Sequence, residues 1–140
     1  MRNLCLLVVC GFLIGTVAAR IQPVHAIEAF KKEFVNKYVK KDSSDPNEKA
    51  FAEVATKANC NVCHVGKNKK ERNEYGKALD ELLDKKADMK NSKKIQDALE
   101  TVAGKNSKPG DSTSPTFGDL IKQGKLPGGE DSATASAAGN

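Results

Sequence analysis

The sequence predicts an all-α domain of four to five short helices. Three observations lead there. Apolar residues recur three and four positions apart, the spacing that lines up one face of a helix. Helix punctuation brackets those runs, with Asp45 before Pro46, then Ser92, Gly104 and Gly124. Around residues 60–64, where two cysteines fall, no alternation of apolar and polar residues marks a strand.

Taken in order, residues 1–26 are laid out as a secretory signal peptide. Arg2 supplies the basic start, Leu4 to Val17 the apolar run, and Val17-Ala18-Ala19 or Val24-His25-Ala26 the small-residue cleavage site. An uncleaved anchor is the alternative for this stretch. Residues 27–126 form the expected domain. Ile27, Phe30, Phe34 and Tyr38 trace an amphipathic first helix. The turn cluster Lys41 to Pro46 opens a second helix, running from about Asn47 towards Cys60 with Phe51, Val54, Ala55 and Ala58 on one side. Phe51 and Val54 are expected in the core, within reach of whatever group the cysteines hold.

Val65 to Arg72 reads as a polar, basic loop. Tyr75, Leu79, Leu82 and Leu83 define a third helix from about Asn73 to Lys86. Ser92 is expected to cap a fourth, with Ile95, Ala98, Leu99 and Val102 as its stripe and Gly104 at its end. Lys105 to Pro115, rich in Gly, Ser and Pro, reads as a linker or long loop. Phe117, Leu120 and Ile121 suggest a last short helix stopped by Gly124. Residues 127–140 carry Gly, Ser and Ala with almost no hydrophobe, and disorder is expected there.

The formal charge of the 140-residue chain is +5, and it falls to near +3 once Arg2 and Arg20 are removed with the signal. Such a mildly basic surface is not the charge density of a nucleic-acid binder.

At the centre of the domain stands Cys60-Asn61-Val62-Cys63-His64, a C-x-x-C-H run. This is the spacing of a c-type haem attachment site. Two thiols so placed reach the two vinyl groups on one haem edge and form thioethers, and the adjacent imidazole supplies a nitrogen ligand to iron. Other chemistries compete for a C-x-x-C. A structural zinc needs four ligands, and the remaining candidates, Cys5, Cys10 and His25, all lie near the N-terminus. A thioredoxin-like dithiol expects a βαβ setting, and a disulfide would have to close a very short loop. With residues 1–26 removed, Cys60 and Cys63 would be the only cysteines and His64 the only histidine.

On these residues the chain resembles a small bacterial monohaem c-type cytochrome. A looser similarity through Gly66 and Asn73-Glu74-Tyr75-Gly76-Lys77-Ala78-Leu79 resembles short secreted haem c proteins of bacteria. The resemblance implies one covalent heme c, anchored by Cys60 and Cys63 and ligated by His64, with the helices packed around it as in cytochrome c. It further implies single-electron transfer rather than an enzyme's activity, in the periplasm or secreted, where c-type haem is joined to reduced thiols. The expected partners are redox proteins with acidic docking surfaces, steered by the lysines between Val65 and Arg72. Neither nucleic acid nor stable membrane insertion after signal cleavage is expected.

The second axial position is less determined. Met89 is the only methionine outside the signal and is the candidate distal ligand. A lysine, His25 after an early cleavage, or a vacant site are the alternatives. A vacant site would make the protein a haem-based binder or sensor of gases or peroxide. A third possibility is the haem subunit of a larger oxidoreductase. On the proximal side, a metal-bound histidine normally donates its second ring N–H to an oxygen. A backbone carbonyl between Gly66 and Tyr75 is expected to accept it. Tyr75 itself is expected either in the core or as a hydrogen-bond partner of a haem propionate.

Overall fold

The computed structural model describes residues 24–66 and 69–129. Most of the expected signal peptide and the tail from residue 130 lie outside the described residues. The architecture is mainly helical. Among the described residues five α-helices run in the order α1 (Val24–Tyr38), α2 (Pro46–Ala58), α3 (Glu74–Asp80), α4 (Ser92–Ala103) and α5 (Phe117–Lys122). A 3-10 turn (Asn59–Val62) and two short strands, β1 (His64–Val65) and β2 (Glu71–Arg72), lie between α2 and α3.

Local chemistry explains where the helices begin. The Asp45 carboxylate accepts the Asn47 and Glu48 N–H groups at 2.7 and 3.2 Å, and Pro46 occupies the first turn, where no N–H is needed. Thr116 and Asp119 form a reciprocal capping box on α5. Gly124, with φ +75°, then turns the chain back against Ala50 and Asn47 of α2, a conformation that favours glycine.

Other boundaries differ from the sequence expectation. The third helix stops at Asp80 rather than Lys86. Beyond it the Asp84 carboxylate accepts the Lys86 and Ala87 N–H groups, and Asp88 accepts the Asp84 N–H. These side chains offer the backbone a turn in place of a helix. Leu82 and Leu83 still pack inward. The fourth helix is capped by Asn91, whose side chain accepts the Lys94 N–H at 3.0 Å, and Ser92 is its first helical residue. Of the two readings expected for the stretch 105–115, a linker or a long loop, the structure shows the loop, bonded within itself. A bridge between Asn106 and Thr116 closes its neck, and the Asn106 amide holds the Ser112 and Ser114 carbonyls. Pro127, placed in the tail by composition, is fully buried, so the packed domain passes the expected boundary at residue 126.

The core gathers most of the few aromatic rings. Phe34 lies 5.2 Å from Tyr38, 6.1 Å from Phe51 and 6.0 Å from Tyr75, and Tyr75 lies 5.2 Å from Phe117, centroid to centroid. Tilted and edge-on pairs of this kind each add about 1 kcal/mol beyond the area they bury. Ile95, Leu99 and Val102 of α4 complete the cluster. Helix α1 lies along α4, tied by Gln96 Nε2 to the Glu33 carbonyl and carboxylate and by the Tyr38 hydroxyl to the Leu99 carbonyl. None of the described helices is long and apolar enough to cross a membrane.

Candidate functional site

Helix α2 ends at Asn59, whose φ of +54° redirects the chain into the 3-10 turn. In that geometry residues three apart eclipse one another. Cys60 and Cys63 are such a pair, and the Cys63 N–H closes the turn on the Cys60 carbonyl at 3.2 Å. The intervening Asn61 and Val62 face inward and are buried. Thus the two cysteines and Val62 line a cleft, while Asn61 does not.

The chain then forms a hairpin, with His64 opposite Arg72 and Val65 opposite Glu71. No strand was expected here, because strands of two residues are too short to show a period. This pairing fixes the imidazole. His64 Nδ1 lies 3.2 Å from the Glu71 carbonyl oxygen. A carbonyl can only accept, so Nδ1 carries the hydrogen and Nε2 is the nitrogen with a free lone pair. The acceptor falls within the segment, Gly66 to Tyr75, in which a carbonyl was expected. Burial, more than the neighbouring charges of Arg72, Lys85 and Lys69, holds the His64 pKa below its ordinary value and favours the neutral ring.

Helix α3 closes the wall behind the motif. Gly76 packs so tightly that an added Cβ would lie 2.0 Å from the Cys63 carbonyl oxygen. Arg72 reaches back to Asp80 at 2.8 Å along the cleft. The cleft is further lined by Phe30, Lys31 and Phe34 of α1, Leu79 of α3, Leu83, and Ile95 and Leu99 of α4. The result is an apolar cleft of about 170 Å³ with Lys31, Lys69, Arg72 and Lys85 against the single carboxylate of Asp80.

Cys60, Cys63 and His64 are therefore brought together on one cleft, as the sequence anticipates. Met89 is not. It is half-buried in the turn before α4 and does not line the cleft. Its neighbour Asp88 is pinned by Lys94 Nζ at 2.6 Å and by the Asp84 N–H, which holds this turn to the start of α4. Phe51 and Val54 pack in or against the core without lining the cleft. Tyr75 is fully buried among the aromatic rings and does not line the cleft either, so of its two expected places it takes the core. Asn73 and Gly76 carry the site's backbone contacts yet were legible only as members of the run from Asn73 to Leu79.

The donor set discriminates among chemistries. Both cysteines are free thiols. Burial pushes the Cys63 thiol up to about 12, the direction opposite to that of an activated redox cysteine. Among the described residues no group of three or more His, Cys, Asp or Glu closes around one point to hold an ion. Two thiols and an imidazole arrayed along an apolar wall instead suit a flat apolar group gripped at its edge and ligated from one side. The cationic residues at the cleft suit carboxylates on such a group. Comparison with protein-family models, with curated proteins and with solved structures returns no match for this chain.

Proposed function

We propose that this chain is a monohaem c-type cytochrome that carries single electrons between partner proteins outside the cytoplasm. One observation carries the reading: His64 sits on the same cleft as Cys60 and Cys63 with Nδ1 engaged by the Glu71 carbonyl and Nε2 left as the donor nitrogen. A haem bound there would supply a one-electron iron couple. The chain's own residues do the rest. Cys60 and Cys63 would anchor the group through their sulfurs, and His64 would supply a nitrogen ligand through Nε2. Phe30, Phe34, Leu79, Leu83, Ile95 and Leu99 exclude water from its faces. A hydrophobic surround and a carbonyl-bound histidine are both levers on the potential of an iron centre.

The cleft is only partly enclosed, so a group held there would keep an edge open to a partner. Around it Lys69, Lys70, Lys85 and Lys86 are exposed, a field that would draw an acidic redox protein into contact. The signal-like N-terminus supports export to the periplasm or beyond.

A second reading has its own support. Among the described residues the cleft is lined by no methionine and by no histidine other than His64. An iron with an open sixth position would bind gases or peroxide rather than serve as a simple shuttle. The reduced visible spectrum of protein matured with c-type attachment machinery, with and without CO, tests both. Sharp α and β bands indifferent to CO are expected of the carrier. Broad high-spin bands that shift with CO would transfer the assignment to ligand binding, and a spectrum without haem bands would remove both.

A further inference from the structure

Asn73 does more than its place in the fold demands. It is buried, 7% exposed, at the start of α3, where its Oδ1 accepts the Gly76 N–H at 2.9 Å. Capping needs only that acceptor. Yet its Nδ2 also donates to the Asn61 carbonyl at 3.2 Å and to the Val62 carbonyl at 3.0 Å, and its backbone N–H donates to the Cys63 carbonyl at 3.2 Å. Three consecutive carbonyls of the C-x-x-C-H loop thus end on one residue.

We propose that Asn73 is the positioning residue of the haem site, fixing the C-x-x-C-H loop so that both thiols and the His64 imidazole face the cleft in register. The inference rests on the haem reading above. Its physical basis is the turn's own geometry. The last carbonyls of a helical turn have no partner within it, and buried they must find donors elsewhere. Only an asparagine at this reach offers one acceptor to the helix and two donors to the loop. Aspartate keeps the acceptor and loses both donors, and serine is too short to span the gap. The coupling to iron runs through the hairpin. Glu71, whose carbonyl orients His64, precedes Asn73 by two residues on the same strand exit, so a loop released from Asn73 also shifts against the Glu71 carbonyl.

Asn91 provides a matched comparison. It caps α4 through the same kind of contact, to the Lys94 N–H, and does not line the cleft. Full-length wild type, Asn73→Asp and Asn91→Asp would be matured with c-type attachment machinery. Haem per chain, reduction potential and the iron–histidine vibration would then be measured. Wild type and Asn91→Asp are expected to carry one haem per chain with matching spectra. Asn73→Asp is expected to lose half or more of its haem, and its loaded fraction to show a shifted potential and vibration. An Asn73→Asp protein equal to wild type in all three would overturn the proposal while leaving the haem reading intact. Wild type without haem would overturn both. Should Asn73→Asp fail to fold, the wild-type holoprotein still decides. Its Asn73 side-chain amide protons are expected to exchange with solvent far more slowly than a free amide, and exchange at the free rate would overturn the proposal.

Discussion

The two walls of the cleft are built by different rules. The wall carrying Cys60, Cys63 and His64 is a closed hydrogen-bonded unit. Asn73 takes up the loop carbonyls, the Glu71 carbonyl takes His64 Nδ1, and Gly76 lets α3 lie against the Cys63 carbonyl. The facing wall of Phe30, Phe34, Ile95 and Leu99 is apolar packing, and its polar side chain is Lys31, which bonds Asn59 Oδ1 at 2.7 Å. One wall holds its atoms by directed hydrogen bonds and the other mainly excludes water. On the haem reading proposed above, coordination on one side would be prepared by the fold, and what meets the other side would be left to weaker constraints.

The sharpest way to break this contrast is to remove the sulfurs. A Cys60→Ala, Cys63→Ala double variant is expected to carry no covalent haem, read as loss of the haem signal on a denaturing gel. Retention of that signal would mean that the prepared wall is not the attachment site.

Next in size is the reactivity of the haem-free thiols. A Cys63 thiol moved from 9.0 to about 12 by burial has on the order of a thousandfold less thiolate at neutral pH. Because its folded value is raised, the neutral thiol contributes stability that is present below the ordinary value and is lost as pH rises towards about 12. Alkylation of the haem-free chain, followed by mass spectrometry against pH, is expected to be slow at Cys63 near neutrality and to climb through the alkaline range. Rapid labelling at pH 7 would show that the haem-free chain does not bury Cys63.

Gly76→Ala probes the same wall by packing alone. Alanine in place of a helical glycine ordinarily gains about 1 kcal/mol, but here the new Cβ would meet a backbone oxygen at 2.0 Å. Overpacking against backbone costs more, and a net loss of about 2 kcal/mol is expected in denaturant unfolding. Unchanged or increased stability would refute the tight contact.

The smallest effect belongs to a residue outside both walls. Since Met89 does not line the cleft, Met89→Leu is expected to leave the reduced spectrum and the potential of the loaded protein unchanged. A marked change in either would show that the turn at Met89 moves in to ligate iron.

How much of this was legible beforehand follows the range of the interactions. Local signals were readable: Asp45-Pro46 as a helix start, the stripe Ile95, Ala98, Leu99 and Val102 as the buried face of α4, and Gly124 as a stop. Helix ends set by competing side chains were not. The carboxylates of Asp84 and Asp88 end α3 early through contacts a period cannot show, and Asn91 outcompetes Ser92 as a cap by one position. The hairpin was hidden because two-residue strands carry no pattern, and the loop from Lys105 to Pro115 because its order lies in bonds to its own backbone.

By itself, then, the sequence determined the helical character of the chain and the identity of Cys60, Cys63 and His64 as the chemically distinctive residues, because period and motif are written in neighbouring positions. The tertiary structure alone decided that Nδ1 of His64 is spoken for, that Asn73 and Gly76 stand behind the motif, and that Met89 does not line the cleft. The first two depend on contacts between residues 7 or more apart in the chain, which spacing cannot encode and only packing brings together.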